Sequence, residues 1–267
     1  MNQKKMCAMA IAGAIAAASP AQAQENAAVK ELAATGKLRV GIVFAPVASA
    51  FFVTKDAGGQ PHGVTVDLGT ELARRLGVPV EFVLMPNSGL VTDATEAGTV
   101  DVAFMPVDEE RKRRVAFGPA YYIIESTYLV SGNSGIKTLE EVDRPNVRII
   151  GVANTTTIRA AGRSLKSTTI APVSSVGKAV EMLRAGKVEA FALSRDSLGP
   201  LLASVPGSRI VDGGFQHTGI AIAVAKGKPA ALAYVTSFMQ DAKGSGVVRR
   251  ALDAAGLNNE QVAPATR

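Results

Sequence analysis

From residue 37 onward, short apolar strand-like runs alternate with amphipathic helix-like runs. That alternation restricts the chain to an α/β fold with largely parallel sheets. Residues 37–44 (KLRVGIVF) read as a first strand. Asp67 is placed to N-cap a helix in which Leu68, Leu72 and Leu76 share a face and Gly77 is the stop. A strand over 78–84, a short helix over 90–97 and a strand over 100–105 complete one unit.

A second unit opens at 138–141 (TLEE), a capping box. Strands are expected at 147–152, 169–173 and 188–193, with helices at 156–165 and 176–185, the latter ended by Gly186. A last strand over 219–225 precedes helices at 229–243 and 246–255, and Pro229 suits a first helical turn. Polar, glycine-rich breaks fall at 131–135 and 226–228. Ligands of open α/β sheets sit beyond the carboxyl ends of the strands, so two such edges facing each other make a cleft.

The first residues read as an export signal. Lys4 and Lys5 precede a small apolar run, and Ala21-Gln22-Ala23 forms an A-x-A cleavage site. The apolar run is shorter than the roughly 20 residues a membrane span needs. Cys7, the single cysteine, lies inside this signal, so the mature chain has neither disulfide nor thiolate metal site. No Trp, few aromatics and scattered basic residues argue against a nucleic-acid partner.

The run from Asp101 to Arg111 carries the most chemistry. An apolar strand ends, a charged helix start follows, and Arg111 stands at the junction. A guanidinium presents parallel donors that match a carboxylate, which makes Arg111 the leading ligand contact, while Lys112, Arg113 and Arg114 read as a solvated helix face. Residues 154–157 (NTTT) open a helix after a strand, where free N–H groups and hydroxyls form an anion site. His62 and His217 have no metal-ligand spacing, and 194–196 (SRD) has no nucleophile elbow. No catalytic residue, metal or cofactor is expected.

These segments resemble family 3 of the periplasmic solute-binding proteins, which serve amino-acid ABC importers. Residues 38–41 (LRVG), 63–68 (GVTVDL), 71–82 (ELARRLGVPVEF), 108–117 and 219–227 are similar to that family's stretches in the same order. The resemblance implies two lobes joined by two crossing strands, near 127–132 and 218–226, with ligand in the cleft between them. It divides the chain into a signal peptide (1–23), an N-terminal extension (24–36), lobe 1 (37–129 and 225–267) and lobe 2 (130–224).

On the same resemblance Arg111 falls on the carboxylate-binding arginine, and Thr156 and Thr157 on second-lobe hydroxyl and amide contacts. Three positions depart from the pattern. Pro106 stands for a hydroxyl residue, Ser194 for the Asp that binds an α-ammonium, and Asn87 for a stacking aromatic. The other aromatic is assigned to Phe44 or Phe51, and Asp108 or Asp196 must replace the missing counter-charge, since a buried unpaired ammonium is costly. The expected protein is an exported, periplasmic monomer that binds a small carboxylate-bearing, amino-acid-like ligand for an ABC permease at the inner membrane. The alternatives are a dehydratase-like enzyme on this fold, with Asp108 or Glu125 as acid or base, and a sensory protein for a separate receptor.

Overall fold

A computed structural model of the chain describes residues 20–44, 52–55 and 58–264. The elements run α1 (Pro20–Leu32), β1 (Leu38–Val43), β2 (Thr54–Lys55), β3 (Pro61–His62), α2 (Val64–Leu76), β4 (Val80–Met85), α3 (Ser88–Glu96), β5 (Val102–Pro106), α4 (Glu109–Arg114) and β6 (Val115–Val130). They continue as α5 (Leu139–Val142), β7 (Ile149–Val152), α6 (Thr156–Ser164), β8 (Ile170–Val173), α7 (Val176–Arg184), β9 (Ala190–Ser194), α8 (Arg195–Leu198), β10 (Arg209–Ile210), β11 (Gln216–Ala225), α9 (Pro229–Gly244) and α10 (Val247–Ala254). Most of the expected signal lies outside the described residues, and its cleavage point after Ala23 falls in the first turn of α1.

The fold is a two-lobe mixed α/β architecture. In one lobe β1 pairs in parallel with β4 and β5, and in the other β7 pairs in parallel with β8 and β9. The crossing strands β6 and β11 run antiparallel between them, with β11 bonded to β5 and β6 bonded to β9. Ser126 is the pivot of this arrangement, since it pairs with Gln216 on one side and Ser194 on the other. The first crossing therefore starts earlier than 127–132. Gly118 and Pro119 lie where the β6–β11 register slips, a place where a sheet can hold a proline that has no N–H to donate.

Apolar patterning explains the layers. Leu68, Leu72 and Leu76 of α2 are buried against Leu38, Val40, Ile42 and Phe104, and α9 and α10 add Val235, Phe238, Met239, Val248 and Leu252 to the same core. The other lobe is built around Leu129, Ile150, Phe191, Leu198 and Leu201, with a further cluster at Tyr128, Ile149, Ala161 and Val211. Each fully buried Leu, Ile or Phe contributes about 1.5–3 kcal/mol. α2 starts earlier than expected. Its N-cap is Gly63 at φ 136, and Asp67 lies within the first turn. Burying Val64 and Val66 outweighs the local capping preference of Asp67. Residues N-terminal to β1 are fastened by Glu31, whose carboxylate accepts the Ala231 N–H at 2.8 Å at the start of α9.

Asp101 is buried before β5 and accepts the Arg39 N–H at 2.9 Å, its Nε–H at 3.0 Å and its Nη2–H at 2.7 Å. This knot fastens β1 to β5. Asp101→Asn, which removes the charge and turns one acceptor into a donor, is expected to lower unfolding free energy by about 1–2 kcal/mol. Urea denaturation checks it, and an unchanged midpoint would show that the knot is dispensable. Among the described residues no helix is long and apolar enough to cross a membrane.

Candidate functional site

Three helices begin at the cleft between the lobes. The Asn87 side chain caps α3 by accepting the Leu90 N–H at 3.0 Å. Thr155 caps α6 through Ile158 N–H at 3.2 Å, and Ser175 caps α7 through Lys178 N–H at 3.2 Å. Each cap satisfies one donor and leaves the first N–H groups without a helical acceptor. Ser88, Thr156, Thr157 and Val176, the first residues of these helices, line one cavity of about 70 Å³. The rest of its wall is mainly apolar and includes Val43, Phe52, Pro86, Pro106, Ile124 and Leu193. Partial positive charge from three helix starts converges on this small space.

Arg111 lies behind the wall rather than in it. It is 1% exposed, and its guanidinium donates to the Pro106 carbonyl at 2.8 Å and the Ser88 hydroxyl at 2.7 Å, two residues that do line the cavity. A third, longer bond of 3.3 Å reaches the Asn154 carbonyl on the opposite lobe. Burial and the neighbouring Arg159 lower its pKa to about 10, so it is charged at neutral pH.

Asp108 faces a different partner from the one expected. It caps α4 by accepting the Arg111 N–H at 2.9 Å, and its other oxygen accepts the Arg159 Nε–H at 2.7 Å. Arg159 also pairs with Glu110 at 2.9 Å, so one α6 side chain clamps two carboxylates of α4 across the cleft. Burial pushes the Asp108 carboxyl up, but the Arg111 N–H and the Arg159 guanidinium outweigh it and hold it below the usual range. Asp108 thus serves Arg111 and Arg159 and does not line the cavity.

The structure brings Asn87, Thr156, Thr157 and Ser194 together on the cavity wall. Ser194 donates to Ser197 at 2.9 Å, and the Thr157 hydroxyl lies 3.3 Å from that of Ser126. Phe44 is not on that wall. It packs against the core of the first lobe with its N–H on the Met85 carbonyl, and Phe52 supplies the aromatic instead. Phe51 lies outside the described residues. Asp196, Glu125 and His217 face a separate surface depression by the crossing strands, where Glu125 pairs with Arg195. Ser88, Phe52, Ser197 and Arg159 were missed from sequence. Arg159 was within reach, because three residues beyond Thr156 it shares the helix face that looks on the cleft.

The chain has relatives among known binding proteins. The chain is 32% identical over 111 residues to the probable ABC transporter extracellular-binding protein YckB of Bacillus subtilis. It is 30% identical over 105 residues to the histidine-binding periplasmic protein of Salmonella typhimurium. These stretches cover 40% and 38% of this chain and 38% of each relative. Among solved structures, a mutant of ArgBP from T. maritima aligns with TM-score 0.74 and 26% identity over 86% of this chain and 99% of that one. The ancestral amino acid-binding protein AncCDT-1, a precursor of cyclohexadienyl dehydratase, aligns with TM-score 0.72 and 26% identity over 85% of this chain and 98% of that one. Residues 42–254, most of the chain, match one family throughout. The chain belongs to the bacterial extracellular solute-binding proteins, family 3.

Proposed function

We propose that this is an exported, periplasmic solute-binding protein that captures a small carboxylate-bearing, amino-acid-like ligand and delivers it to an ABC permease at the inner membrane. The observation that carries the reading is the convergence of three helix starts on one cavity between lobes, with the buried Arg111 directly behind its wall. The lobes are 37–129 with 225–267, and 130–224, and the signal is removed after Ala23. Arg111 receives the ligand carboxylate when the lobes part and its bond to Asn154, the longest of its three, opens. Thr156 and Thr157 meet the same group from the second lobe, and Asn87 and Ser194 complete the wall. Ligand then favours the closed state, the form a permease recognises, and the protein acts as a monomer.

A thermal-shift screen of amino acids, short carboxylates, dicarboxylates and amines tests this, because a ligand that binds only the native state raises the melting temperature. Stabilisation by carboxylates is expected. Stabilisation by amines alone removes the role of Arg111 and with it the reading. A binding role is favoured over a dehydratase-like one because Asp108 is held by Arg159 and Glu125 by Arg195, away from the cavity. Turnover of a prephenate-like substrate would overturn that preference.

The Arg159 clamp has its own consequence. Arg159→Met keeps the apolar stem and removes both cross-cleft pairs. It is expected to weaken ligand binding by about three- to tenfold, since a half-buried pair contributes about 1 kcal/mol. Asp108 titrates below the usual carboxylate range, so the clamp is intact above the ordinary Asp pKa of about 4 and is lost only as pH falls through the lower value of the closed, folded state. Affinity measured by calorimetry should therefore be flat from neutral pH to about pH 5. A drop between pH 7 and about 5 would mean that another group controls closure.

A further inference from the structure

We infer that the ligand carries no ammonium group: the site is built for a short-chain carboxylate such as a 2-oxo, 2-hydroxy or unsubstituted acid. The inference rests on the reading of the cleft as a carboxylate site and narrows it. Among the described residues, no Asp or Glu lines the cavity. Every polar side chain that the described residues contribute to its wall is neutral: Asn87, Ser88, the three threonines of 155–157, Ser194 and Ser197. The nearest candidate counter-charges stand behind or beside the wall and not on it. Asp108 is bound by Arg159, Glu125 by Arg195, and Asp196, in the depression beside the crossing strands, touches the wall through a long bond of 3.4 Å from the Ser197 hydroxyl.

What points at the cavity from its wall and directly behind it is positive, the carboxylates of Asp108 and Glu110 being paired with Arg159. Helices α3, α6 and α7 present their starts, and Arg111 stands behind Ser88 and Pro106. A cation in that space is desolvated by an apolar wall, repelled by a guanidinium and opposed by three helix dipoles. A carboxylate is desolvated by the same wall, but the guanidinium and the helix starts attract it and offset that cost. The hydroxyls of the wall can meet a 2-oxo or 2-hydroxy oxygen, which needs hydrogen bonds but no counter-charge. The cavity is small, about 70 Å³, which favours a short chain.

Calorimetric titration with matched sets decides it: propionate, pyruvate, lactate and alanine, then isovalerate, α-ketoisovalerate and valine, with isobutylamine as the amine alone. The acids without nitrogen are expected to bind about tenfold or more tightly than the amino acid of the same skeleton. Alanine or valine binding as tightly as its keto acid, or more tightly, overturns the inference and leaves the carboxylate reading standing. Binding of isobutylamine alone, or of none of the set, overturns both. Ser194→Asp adds a carboxylate to the wall and is expected to raise affinity for alanine and valine while lowering it for pyruvate. No change in either direction also overturns the inference.

Discussion

Gly89→Ala is expected to weaken ligand binding by about 10- to 100-fold while leaving the melting temperature level or slightly raised, because the added methyl opposes closure and not folding. Gly89 lies in the first turn of α3. A Cβ there would stand 2.6 Å from the Asn154 Cβ and 3.1 Å from both the Asn154 carbonyl and the Asn87 amide oxygen. Asn154 belongs to the other lobe and is held at φ 60, a backbone conformation with little room to give. Its carbonyl is also the one that accepts from Arg111. Within its own helix an alanine is the better residue, by about 0.5–1 kcal/mol. The severest contact, with Asn154, therefore acts between the lobes, and overpacking of this kind costs about 1–3 kcal/mol. Apparent affinity falls by the fraction of molecules still able to close. Small-angle scattering should show an expanded protein, and calorimetry with the tightest acid of the series should show the weakened binding. Unchanged affinity would mean that ligand binds without bringing Gly89 against Asn154.

Arg111→Met should be the more damaging substitution for binding, at about 100-fold or more, since charge-assisted bonds are worth about 1.5–3 kcal/mol each. Methionine approximates the buried stem and removes the charge. The change leaves the Ser88 hydroxyl and the Pro106 carbonyl without their donor, which costs about 1–3 kcal/mol, but it also removes a charge whose burial is unfavourable. Fold stability is thus expected to change by less than affinity does. Arg111→Lys should not rescue, because a single ammonium cannot span Pro106, Ser88 and the opposite lobe together. Urea denaturation and calorimetry separate the two effects. A variant that binds within a few-fold of the parent would show that the helix starts hold the carboxylate without Arg111.

Local features of the fold were legible in the sequence wherever a short-range rule governs them. Gly77 ends α2 in a left-handed conformation, Thr138 caps α5 and Pro229 opens α9. Each depends on residues within a turn of one another. The same rules failed where burial across the fold competes. Asp67 lost the helix start to Gly63 because Val64 and Val66 are worth burying. The length of β6 was hidden by Gly118 and Pro119, which punctuate the sequence like a loop but sit in a bulge supported by β11.

For the site, the sequence by itself determined the parts that follow from one segment: a helix start at 155–157 rich in hydroxyls, an arginine beside a strand end, and no acid at 194. Only the tertiary structure decided how those parts meet. It set Arg111 behind Ser88 and Pro106, turned Asp108 to Arg159, and exchanged Phe44 for Phe52 on the wall. The physical reason is range. Caps, strand alternation and helix faces arise from neighbours in the chain, whereas the pairing of charges depends on which guanidinium reaches which carboxylate across a cleft formed by distant segments.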